Sequence, residues 1–144
     1  MDLIALDSNL KKLDVVDLTV SIFDDMEEFI ADLNREQLAK YGVNDDGDSL
    51  EPEYAEDTIW SKQRKSGTAS ITGHVTLFNT GDLHESIFSM ISGDELILGS
   101  HDEKVGQLTT KYGEFLGLTK ENQEKVRVEF LKRFEPALIQ GIYG

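Results

Sequence analysis

The sequence predicts an α+β fold: a long N-terminal helix and a C-terminal helix packed on a small, mostly antiparallel sheet, with an extended arm between them. Three observations carry this. Apolar residues recur every three or four positions from Asp14 to Tyr41. A turn signature at Ser92-Gly93-Asp94-Glu95 separates two short apolar runs. Val126, Phe130, Leu131 and Phe134 recur at helical spacing near the end of the chain.

The first helix is read from Val15, Leu18, Ile22, Met26, Phe29, Ile30 and Leu33, with Asp24, Asp25, Glu27, Glu28 and Asp32 filling the polar face. Asp14 or Asp17 is placed to cap its first turn, and Gly42, just beyond Tyr41, is suited to the left-handed residue that ends a helix. In the segment before it, apolar residues at 3, 4, 6, 10 and 13 fit either a first helical turn or a strand. Residues 43–73 read as an arm. Asp45-Asp46-Gly47-Asp48 is a turn, Pro52 blocks a regular strand, and Ser66-Gly67-Thr68 opens another flexible piece. A short helix over 55–65 would display Ile59 and Trp60, and Trp60 is either a plug over the core or an anchor for a neighbouring subunit, together with Ile59 and Tyr54.

Ile71 to Phe78 alternates as a short strand, broken by Thr80-Gly81-Asp82. Thr80 is placed to cap the next turn, Gly81 permits a backbone conformation barred to other residues, and Leu83 and Ile87, four apart, share a helical face. Phe88 to Gly99 is a hairpin turning at Gly93. A weaker helix over 103–112 ends at Gly113. Thr119 caps the final helix, which Pro136 should kink or end near Glu135, leaving 137–143 as a short tail helix.

With 144 residues, 39% of them apolar, the chain suits a single domain, one that buries roughly two thirds of its unfolded surface. The longest apolar runs fall far short of the roughly 18 residues a membrane span requires, and Asp2 stands where a basic signal-peptide start is needed, so the protein is expected to be cytosolic when made. No cysteine means no disulfide framework and no thiolate ligand. Up to Asp57 there are 17 acidic and 4 basic residues, against 11 and 10 afterwards, so nearly all of the net charge of −14 belongs to the first part. That field repels phosphate backbones, and Lys62, Arg64 and Lys65 are too few to reverse it.

Catalytic and metal-binding patterns are weak. Asn44-Asp45-Asp46-Gly47-Asp48 fails the calcium-loop spacing, since Gly42 falls where the first carboxylate belongs. His74, His84 and His101 lie ten and seventeen residues apart, unlike a zinc-binding helix. Asp82, His84 and Ser86 hold the residue types of a hydrolase triad without a nucleophile-elbow pattern, and neither nucleotide-binding glycine loop occurs. No cofactor, no metal and no enzymatic activity are expected.

The stretch from Leu77 to Asn122 is the most informative. Thr80-Gly81-Asp82-Leu83-His84-Glu85-Ser86-Ile87 is similar to the "TG-x-L-x-x-S-I" segment of bacteriophage virion-morphogenesis and tail-completion proteins, the Mu-like G-protein family and its head-tail connector relatives. A hairpin, Lys111-Tyr112-Gly113 and Phe115-Leu116-Gly117-Leu118-Thr119 follow in the order seen in that family. The resemblance covers about residues 50–131. It departs at Gly113-Glu114, where members often carry Arg-Pro. It implies a non-enzymatic structural protein for tail completion or head-tail joining. Such a protein assembles as a ring, often a hexamer, with other tail or connector proteins as partners; it occupies the bacterial cytoplasm during assembly and the virion tail or head-tail junction afterwards. In such a ring Asp24, Asp25, Glu27 and Glu28 would repel passing DNA from the lumen. The motif residues Thr80, Gly81, Leu83, Ser86, Ile87, Tyr112, Gly113, Phe115, Leu116, Gly117 and Leu118 are expected to be structural. Two rival readings remain: an adaptor or inhibitor using the acidic face, and a small hydrolase built on Ser86 or paired carboxylates.

Overall fold

The computed structural model describes residues 3–51, 75, 77 and 82–143. The order is α1 (Leu3–Lys12), α2 (Val15–Asp25), α3 (Glu27–Glu36), a π-helical turn (Gln37–Tyr41), the one-turn helix α4 (Asp82–Glu85), β1 (Ile87–Ser92), β2 (Glu95–Ser100), α5 (Val105–Tyr112) and α6 (Lys120–Tyr143). The fold is α+β, and among the described residues its sheet is the antiparallel pair β1–β2, running from Ile87 opposite Ser100 to Ser92 opposite Glu95.

The single long helix expected over 14–41 is instead three segments. Asp14 caps α2 as expected, its carboxylate accepting from Val16 N and Asp17 N at 3.0 and 3.1 Å. The helix then breaks at Met26. The break changes what the acidic run does: Glu27 and Glu28 fall in the first turn of α3, where the helix dipole favours anions, instead of continuing a run of carboxylates through mid-helix. It also lets the two helices face differently, because α2 packs mainly on α6 and less on β1, while α3 packs on β1. The π turn follows, and Gly42 closes it in the left-handed conformation, φ 58°. Segment 3–13, open between helix and strand in the sequence, is helical over 3–12.

α3 stands between two apolar clusters. On one side Ala31 and, beyond α3, Leu38 join Leu50, Val75, Leu77, Leu83, Ile87, Tyr112 and Phe115. On the other, Ile30 and Leu33 join Ile22, Met26, Leu118 and Val126. Leu98 of β2 packs against both. Phe130 stacks between Phe23 and Phe134, at 4.9 and 5.2 Å between centroids, and fixes α6 to α2. Leu131, expected to share that face, is 38% exposed.

The hairpin turns at Gly93, whose φ of 63° places a glycine at the first position of a two-residue loop, as a II′-type turn requires. Ile87 begins β1 and so does not continue a helix with Leu83, although both are buried in one cluster. Of the strand expected over 71–78, Val75 and Leu77 are described; neither lies in a strand, and Leu77 has φ 57°. α5 ends at Gly113 as expected.

Of the kink or end expected near Glu135, the end does not occur: α6 runs as one helix of 24 residues with Pro136 inside it, and 137–143 is not a separate tail helix. A mid-helix proline costs about 3 kcal/mol in an isolated helix. Packing holds the segment beyond it: Asn9 Nδ2 donates to Ile142 O at 2.7 Å, and Leu13, the residue after α1, lies so close that a Cβ on Gly141 would sit 2.7 Å from its Cδ1.

Candidate functional site

The described motif residues converge on the end of α3. Leu83, Ile87, Tyr112 and Phe115 belong to one buried cluster, Leu116 packs against it, and Leu118 belongs to the other. Gly113 has φ 78° at the end of α5. Thr80, Gly81, Trp60, Ile59 and Tyr54 lie outside the described residues, as does the arm beyond Glu51.

Loop 115–119 is held by two buried amides. Asn34, fully buried, donates from Nδ2 to Phe115 O at 3.1 Å and accepts at Oδ1 from Gly117 N at 3.2 Å. Gln37, 1% exposed, donates from Nε2 to Gly117 O at 2.9 Å and to Asn44 O at 3.2 Å. Its Oε1 accepts from Thr119 N and from Asn122 Nδ2, both at 3.0 Å. Thr119 Oγ1 then accepts from Asn122 N at 3.3 Å, the expected cap of α6. Gly117 is needed for close approach, since a Cβ there would come within 2.9 Å of Asp45 Cβ. Side-chain amides replace the backbone pairing that an irregular buried loop lacks, and among the described residues no buried side-chain polar atom is without a partner.

A second clamp is Arg35. Its Nε donates to His84 O at 2.6 Å and its Nη2 to Ile87 O at 3.1 Å and Glu85 O at 3.4 Å, gathering the carbonyls where α4 passes into β1. Nη1 pairs with Asp32 at 2.7 Å and Glu28 at 3.0 Å. Burial opposes the charge on this guanidinium, but hydrogen bonds and the charges of the two carboxylates outweigh it and raise its pKa. Two of the acidic residues read as surface charge therefore hold Arg35 in place.

The Ser86 hydroxyl bonds Leu83 O at 2.9 Å and Ser100 Oγ, tying α4 to the end of the hairpin. His84 is buried, Asp82 is exposed, and His101 stacks on Phe88 at 4.5 Å. Asn44 Oδ1 accepts from Asp46 N and Asp48 N, so the acidic segment is a side-chain-closed turn bridged between Val43 and Ser49. Among the described residues no three histidine or carboxylate side chains gather as they must to hold a metal ion, and no helix is long and apolar enough to cross a membrane. An apolar recess of about 520 Å³ lies between Phe23, Leu96, Leu98, Leu118, Val126 and Phe130.

Sequence reasoning missed Asn34, Arg35, Gln37 and Asn122. Their signal is present: Asn34 and Gln37 stand four and seven residues after Ile30, on the stripe where apolar residues are expected. No protein-family model, curated protein or solved structure matches this chain.

Proposed function

We propose that the protein is a non-enzymatic structural component of a phage or prophage particle that acts in tail completion or head-tail joining. The observation that carries this is the ordered series of motifs from Thr80 to Thr119, read together with where its described residues lie. Leu83, Ser86, Ile87, Tyr112, Phe115 and Leu118 pack or hydrogen-bond inside the domain. A motif whose side chains turn inward suits a scaffold that leaves its outer surfaces to meet neighbours, as an assembly protein needs. In a ring of such domains the exposed carboxylates Asp24, Asp25 and Glu27 would face the passage, where like charge keeps duplex DNA from adhering.

The test is loss of the gene in the producing phage or prophage. Electron micrographs should then show filled heads and finished tails that are not joined, and the protein should be present in purified wild-type particles. A protein absent from particles and dispensable for joining overturns the role. Co-purification with one basic protein and no tail component would instead support an adaptor that uses the acidic face.

A further inference from the structure

We infer that α1 and the turns of α6 beyond Pro136 form a latch, one unit that opens and closes against the body of the domain while both apolar clusters stay intact.

Each half of the latch lacks something that the other supplies. α1 has ten residues and none is buried. A helix that short does not persist in water on its own propensity, and the element it packs on is α6. Leu13 N donates to Asn9 O at 3.0 Å and so extends the helical turn, which places Leu6, Asn9 and Leu13 on one face. Leu6 and Leu13 are half-buried there. On the other side, the last carbonyls of a helix have no partner within it. Asn9 Nδ2 supplies one to Ile142 O at 2.7 Å, across 133 positions of sequence. Gly141 admits Leu13, because a Cβ there would stand 2.7 Å from Leu13 Cδ1. α1 thus caps α6 while α6 covers α1, and loss of either contact weakens both.

The body of the domain holds α6 only as far as Ala137. Phe130, Phe134 and Ala137 pack against the second cluster, and Arg133 Nη1 donates to Asp25 O at 3.3 Å. Beyond them Leu138 and Ile142 are half-buried, yet neither they nor Leu6 and Leu13 belong to or pack against either cluster. Pro136 stands at this boundary. Having no N–H, it cannot donate to Lys132 O, so the backbone ladder lacks a rung between the body of the helix and its last turns. Segments with few buried apolar contacts open locally, in contiguous cooperative units, at less than the cost of global unfolding. Opening bares Leu6, Leu13, Leu138 and Ile142, and closing hides them again.

Amide hydrogen exchange of the full chain, followed residue by residue by NMR, tests this with Asn9→Ala and Ile142→Ala as variants. In wild type, segments 3–13 and 137–143 should exchange at least roughly a hundredfold faster than 126–134. Asn9→Ala removes one hydrogen bond and should speed 137–143 about fivefold as well as its own helix. Ile142→Ala should in turn speed 3–13, and 126–134 should keep its wild-type rate in both variants. Substitutions that speed only the segment carrying them would mean two separately fraying helices and overturn the latch. Equal acceleration of 126–134 would overturn it as well, by joining this end of the molecule to the core.

Discussion

At the junction of α3 with loop 115–119, Asn34 and Phe115 are fully buried and Gln37 is 1% exposed, whereas at the α1–α6 end Ile4 and Leu3 are 84% and 71% exposed. The first region has amides matched to backbone groups one by one. The second has apolar side chains with little of the chain against them. One region is defined by what it satisfies internally, the other by how much apolar surface it leaves exposed. The recognisable motifs fall in the first region, and the exposed apolar residues of the second fall where the sequence carries no motif at all.

The largest expected effect that sharpens this contrast is Phe115→Ala. Removing a fully buried ring beside the amide clamp should cost about 3–5 kcal/mol in urea unfolding, and a loss as small as that of a surface substitution would break the comparison. Arg35→Ala should come next, about 2 kcal/mol for the carbonyls of His84, Glu85 and Ile87 left without their donor. Arg35→Lys should recover only part of it, because an ammonium cannot fork among three carbonyls. At the other end Ile139→Glu should change unfolding by no more than about 0.5 kcal/mol. A large loss of stability there would mean that the exposed end belongs to the core.

The smallest effect concerns acid. Lys40 and Arg127, through hydrogen bonds and then charge, hold Glu36 and Glu124 below the usual glutamate value of 4.5. A carboxylate depressed in the folded state adds stability that is fully present well above pH 4.5 and is lost as pH falls through its folded value. Both pairs are exposed, so the contribution is small. Thermal unfolding of Glu124→Gln should fall slightly less between pH 6 and pH 3 than that of wild type, and a steeper fall would contradict the assignment.

Legibility followed the range of the interaction. Asp14, Gly42, Gly93 and Gly113 act within a few residues of themselves, and their roles as cap, terminator, turn and stop are readable from neighbours alone. Phe115 and Leu118 were readable as anchors because an apolar pair beside a cap has few other uses. The break at Met26 was not, since it depends on α2 meeting α6 as well as β1 while α3 meets β1. Nor was the continuity of α6 through Pro136, which packing from α1 sustains. Gln37 was read as one more residue of a helix. Its partners Gly117, Thr119 and Asn122 lie 80 to 85 residues away, and no local pattern encodes that distance.

The central claim is that loop 115–119 serves the fold and is not itself a contact surface, and equilibrium urea unfolding of Gln37→Ala tests it most directly. The substitution leaves Thr119 N, the Asn122 amide and Gly117 O without their partner. It should cost about 2–4 kcal/mol with an unchanged denaturant slope. A loss below about 0.5 kcal/mol, the level of an ordinary surface change, would contradict the claim.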